Sequence, residues 1–111
     1  MITAKFFENK LKDRFEVTID GHAHAAEKGE DLICAGTSVL SLTLVQVIKT
    51  MEQQGFFVNK VKAKVKEGHT SITCKPKAEY YTAVLNTILT IKTGFNMLAT
   101  MFSDYIELVD N

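Results

Sequence analysis

Cys34 and His22 are the two side chains of this chain best placed for chemistry, and both bracket one short stretch, Gly21 to Ser38. A thiolate attacks a carbonyl carbon far better than a thiol does. A free cysteine with an ordinary pKa near ~8.5 is mostly protonated at neutral pH, so it needs help to ionise. A histidine within hydrogen-bond reach supplies that help: it takes the thiol proton and later returns it to a leaving amine. Asp31 reads as the N-cap of a helix that begins at Leu32, which makes Cys34 its third residue. There the unpaired N–H groups and the helix dipole favour a negative sulfur, and the same groups could hold an oxyanion. A carboxylate beside Cys34 would oppose the thiolate, so capping suits Asp31 better than orienting His22. Ser38 follows Cys34 by one helical turn on the same face.

Other readings of these residues stay open. A cysteine in an apolar helix is commonly a small buried hydrophobe, and a histidine after a glycine at a strand end is commonly a surface residue. His22, His24, Cys34 and His69 offer nitrogen and sulfur to a metal, but no Cys-x-x-Cys or His-x-x-x-His pair is present, so no metal and no cofactor is expected. His69 is expected to be exposed beside a turn, and Cys74 to be structural. Lys60, Lys62, Lys64 and Lys66 recur at every second residue and share a strand face. That face could meet RNA or an acidic partner, although a solvated strand face is the simpler reading. No phosphate-cradling loop accompanies it.

The elements that must position these residues follow from periodicity. Met1–Glu8 and Arg14–Asp20 read as a hairpin, with Phe15, Val17 and Ile19 alternating against Glu16, Thr18 and Asp20. Gly21–Glu30 reads as a loop. Leu32 to about Gln54 reads as a helix stopped by Gly55, with Leu32, Ala35, Val39, Leu42 and Val45 on one stripe and Leu40, Leu44, Val47, Ile48 and Met51 widening it. A helix this apolar is expected to be buried on more than one side, between the sheet and either the second helix or a partner subunit. Phe56–Lys66 and Thr70–Lys75 read as a second hairpin turning at Glu67-Gly68. Glu79 to about Met101 reads as the second helix, and Tyr105–Val109 as a short edge strand. The order ββαββα places the chain in the α+β class, an antiparallel sheet from two hairpins packed with two long helices.

Composition narrows the class further. Residues 1–111 form one expected domain, with 46% hydrophobic residues and 13 basic against 13 acidic residues. Such a balance gives no global reason to bind nucleic acid or a membrane surface. Ala83–Phe102, interrupted by Asn86, Lys92, Gly94 and Asn96, is not expected to span a membrane. No basic region followed by a long apolar run opens the chain, and two widely spaced thiols suit a reducing, cytoplasmic setting.

Gly21-His22-Ala23, then Gly29-x-Asp31-Leu32-Ile33-Cys34-Ala35 and Ser38-x-Leu40, resembles the signature of the bacterial ribosomal-processing cysteine proteases, Prp. The resemblance extends over most of the chain. It implies that Cys34 is the nucleophile and His22 its base, with Gly21, Asp31 and Ser38 as substrate-site or supporting positions. It also implies removal of a short N-terminal extension from a large-subunit ribosomal protein, a small homodimer, and a mobile His–Cys loop that closes over substrate. Two departures stand out. His24 occupies a position where the family often has a small residue, and Gly36-Thr37 follow Cys34-Ala35 where Ala-Val is frequent. Gly36 is expected to loosen the helix by about 1 kcal/mol relative to alanine.

Overall fold

The computed structural model describes residues 1–22 and 27–110, and the side chains of residues 27–31 fall outside that description. Strands β1 (Ile2–Asn9) and β2 (Arg14–Gly21) form the first hairpin. Helix α1 (Glu27–Gln53) follows, then β3 (Lys62–Lys66), β4 (His69–Cys74), a 3-10 turn over Ala78–Tyr80, helix α2 (Tyr81–Met101) and β5 (Ile106–Asp110). The sheet order is β3-β4-β2-β1-β5. Both hairpins are antiparallel and join through an antiparallel β2–β4 pair. The last strand does lie at an edge, but it runs parallel to β1, which makes the α+β sheet mixed. A parallel partner needs a long crossover, and α2 provides it.

One face of the sheet carries the core. Ile2, Ala4 and Phe6 on β1, Phe15, Val17 and Ile19 on β2, and Ile72 and Cys74 on β4 are all buried. The period-two alternation seen in the sequence is thus the inner and outer face of each strand. The helices cover this face with Ile33, Leu44, Val45 and Ile48 from α1 and Val84, Ile88, Ile91 and Phe95 from α2. Phe6 and Phe95 meet in a tilted aromatic pair with ring centroids 5.9 Å apart. The return strand β4 is short and polar in sequence, yet it is central in the sheet. Its Thr70, Ile72 and Cys74 point inward, and Thr70 is a buried polar residue.

Helix α1 differs from its expected form in two ways. It starts at Glu27, so Asp31 lies inside it and not at its N-cap, and Cys34 is the eighth helical residue. Within the single chain Leu32, Val39 and Leu42 are all more than half exposed, on a side left open to a partner subunit. Leu32–Gln53, and not Ala83–Phe102, is the helix long and apolar enough to cross a membrane by length and composition. Its buried residues pack on the sheet, as the core helix of a two-layer domain does. Gly36 has a packing reason. A Cβ there would lie 3.3 Å from the Leu98 side chain of α2, and one at Gly94 would lie 2.7 Å from the Leu40 side chain. These two glycines let the helices approach closely, which offsets the propensity cost of Gly36.

Candidate active site

The end of β2, the face of α1 from Cys34 to Leu42 and the β3–β4 turn border a cavity of about 430 Å³. Cys34, Thr37, Ser38 and Ser41 line it from α1, Gly21 and His22 from the end of β2, and His69 and Thr70 from β4. The spacing 34, 37, 38, 41 is a helical stripe, so one face of α1 delivers a thiol and three hydroxyls to the same space. Cys34 is half-buried and a free thiol. His22 stands at the mouth, and its main-chain carbonyl accepts a 2.7 Å hydrogen bond from the Met1 amine.

Gly21 is required by the backbone here. Its φ is +107°, and a Cβ would fall 2.2 Å from the Met1 carbonyl oxygen. The strand end can therefore turn toward the cavity only with glycine at this position. The structure brings Gly21, His22, Cys34 and Ser38 to one cavity. The side chain of Asp31 and the whole of His24 lie outside the described residues.

The helix-start argument for activating Cys34 does not survive the longer α1. The first four N–H groups of a helix are the unpaired ones, and they lie well before the eighth residue. Among the described residues no group of three or more His, Cys, Asp or Glu side chains could hold a metal ion.

Two polar features of the cavity were not foreseen. His69 is not simply exposed: its Nδ1 is hydrogen-bonded to the Asp20 carboxylate across the β2–β4 ladder, where the two residues are register partners. Thr37 Oγ1 is buried and, among the described residues, has no hydrogen-bond partner. Thr50, Thr87, Thr90, Thr93 and Thr100 each donate their hydroxyl to the carbonyl four residues back. The departure at Gly36-Thr37 marked the Thr37 position in sequence. The β2–β4 pairing that joins Asp20 to His69 left no mark there, because strand order cannot be read from either hairpin alone.

The second cysteine is set apart from this chemistry. Cys74 is buried among the core residues, and burial pushes its thiol up to about 12. It stays protonated at any physiological pH.

A half-buried thiol and an imidazole on the walls of one cavity, on a small α+β scaffold, are the equipment of a thiol-dependent hydrolase. The chain belongs to the family described as cysteine protease Prp, whose model matches residues 1–107. The fold is similar to that of the essential ribosomal-processing protease Prp from S. aureus in complex with a covalently linked product peptide. That likeness has a TM-score of 0.74 and 22% identity over 100% of both chains. The same S. aureus protease in complex with a substrate peptide matches at a TM-score of 0.73 and 21% identity, again over 100% of both chains. The structure of SMU.848 from Streptococcus mutans matches at 0.68 and 21% identity, over 99% of this chain and 93% of that one. No curated protein matches the chain.

Proposed function

We propose that this chain is a cysteine endopeptidase that removes the N-terminal extension of a large-subunit ribosomal protein, with Cys34 as nucleophile and His22 as base. The observation that carries the reading is the convergence of Cys34 and His22 on one cavity in a chain of the Prp family. The S. aureus structures, named as a ribosomal-processing protease bound to peptide, support the substrate class.

The chemistry runs in two halves. His22 takes the Cys34 proton, and the thiolate attacks the scissile carbonyl carbon, forming a C–S bond. The tetrahedral intermediate collapses, the C–N bond breaks, and the amine leaves with the proton held by His22. Water then attacks the thioester as His22 removes its proton. The C–S bond breaks, and Cys34 and His22 return to their starting state. Gly21, Asp31 and Ser38 support substrate or site in this scheme, Ser38 from the cavity wall. The reaction needs no metal or cofactor.

The exposed Leu32, Val39 and Leu42 on α1 favour a homodimer that covers this face. The two free thiols suit a cytoplasmic enzyme. Neither nucleic acid nor a membrane is a required partner, and one domain carries the whole activity. The test is mass spectrometry of a peptide spanning the extension junction, incubated with wild-type protein or Cys34→Ser. A single cut by wild type alone is expected. An intact peptide with folded, reduced protein would overturn the peptidase in favour of a non-catalytic ribosome-associated binding module.

A further inference from the structure

Three successive residues at the end of β2 each meet the tip of the β3–β4 hairpin. The Asp20 carboxylate is hydrogen-bonded to His69 Nδ1. The Gly21 N–H donates to the Gly68 carbonyl at 2.9 Å. The His22 ring lies directly over Gly68: a Cβ at that position would fall 2.8 Å from Nε2 and 3.1 Å from Cε1. Gly68 has φ +73°, the left-handed region that a type of turn this tight uses. The hairpin tip thus forms a floor under the imidazole, and the Asp20–His69 pair fastens that floor to the strand that carries it.

The pairing has a defined chemistry. A carboxylate only accepts hydrogen bonds, so the His69 Nδ1 facing Asp20 carries a proton. Asp20 and His69 are both partly exposed. Such a pair adds little to global stability, but it can fix the geometry of a short hairpin tip. Lys66 and Glu67, which flank the tip, line the same cavity.

We infer that the hairpin tip Gly68–His69, tied to β2 through Asp20, is a positioning element that sets the angle of the His22 imidazole toward Cys34. The inference rests on His22 being the base of the proposed peptidase. Its chemistry is a matter of alignment, since a base displaced by about 1 Å can cost ~10²-fold in rate.

The test has two readouts, peptide cleavage and the rate at which iodoacetamide alkylates Cys34 at pH 7. The second needs no substrate, and the buried Cys74 does not compete. Gly68→Ala pushes a methyl into the His22 ring and is expected to lower kcat by about 10²-fold with little change in KM, and to slow alkylation. Gly55→Ala is the control. Gly55 also has a positive φ, +82°, but the nearest atom to an added Cβ is the Lys77 Nζ at 3.9 Å, so it carries the backbone strain without a ring contact. It is expected to keep both rates. His69→Ala is expected to slow both several-fold. His69→Asn places an amide nitrogen near the position of Nδ1 and is expected to rescue, whereas His69→Gln is not.

His22→Ala separates the two levels of the argument. If it leaves alkylation unchanged, His22 does not activate Cys34, and the base assignment and this inference both fall. If it slows alkylation while Gly68→Ala and His69→Ala do not, only the positioning role is overturned. A rise in KM alone on His69→Ala, with alkylation intact, would also overturn it by making His69 a substrate contact. Should Gly68→Ala fail to fold, the His69→Ala and His69→Asn pair decides the matter.

Discussion

The two cysteines sit in two regions built to opposite ends. Cys34 looks into a cavity with two histidines and four hydroxyls on its walls. Cys74 pairs in register with Phe15 at the far end of the β2–β4 ladder, where Phe15 packs on Tyr81 with ring centroids 5.1 Å apart. Close to that end, Phe56 stacks on Tyr80 at 4.1 Å, and Phe57 bridges to Pro76. The same side chain is therefore a candidate nucleophile in a cavity that holds histidines and hydroxyls, and a small hydrophobe in the packed core. Environment, and not residue type, assigns the role.

Substitutions at the two ends should separate activity from stability, and the largest effect is expected at Cys34. Cys34→Ala should lower peptide cleavage by at least about 10³-fold, while the thermal midpoint stays close to that of wild type by calorimetry. A large fall in the midpoint would make Cys34 a packing residue like Cys74. His22→Ala should lower cleavage by about 10²–10⁴-fold, as loss of a general base does. Steady-state kinetics on folded protein would show it mainly in kcat.

At the other end the expectation reverses. Cys74→Ser puts a hydroxyl into a buried apolar site and should cost about 1–3 kcal/mol of stability in urea titration, with cleavage per folded molecule unchanged. The pH dependence has a defined sign. Burial pushes the Cys74 thiol up to about 12 in the folded chain, against an ordinary value of 9.0 when exposed. Between those values the unfolded chain has lost the proton and the folded chain has kept it, so Cys74 makes stability fall as pH rises from 9 toward 12. Cys74→Ala should lose less stability over that window than wild type. An identical slope for both proteins would show that the thiol is not held dry.

The smallest effect belongs to the lysine face. Every residue of β3 is exposed, so replacing Lys62 and Lys64 together by serine should change stability by no more than about 0.5 kcal/mol per site and leave cleavage intact. A clear loss of cleavage would mean that the strand face recruits substrate by charge.

The sequence made some of this legible and hid the rest for physical reasons. Period-two alternation in Arg14–Asp20 and the long apolar stripe after Leu32 are local signals, so β2, α1 and α2 could be placed within a few residues. Cys34, His22, Gly21 and Ser38 fall in one stretch of chain, which made them candidates before any fold was known. The start of α1 was misplaced because Gly29 argued for a loop, while Glu27 and Glu30 suit the first turn of a helix. The parallel pairing of β5 with β1 and the Asp20–His69 tie depend on strand order. Strand order is fixed by the packing of distant elements and is not written in any local pattern. Gly36 read as a helix weakness until Leu98 of α2 was seen against it.

The most direct test of the account is covalent labelling with a peptide vinyl sulfone that carries the residues before the cleavage point. The vinyl carbon captures a thiolate only where the peptide is held with its reactive end beside it. Mass spectrometry of the digested protein should find one adduct per chain, on Cys34, formed rapidly with wild type and slowly with His22→Ala. An adduct on Cys74, or none on folded and reduced protein, would contradict the assignment of this cavity as the place where the peptide bond is cut.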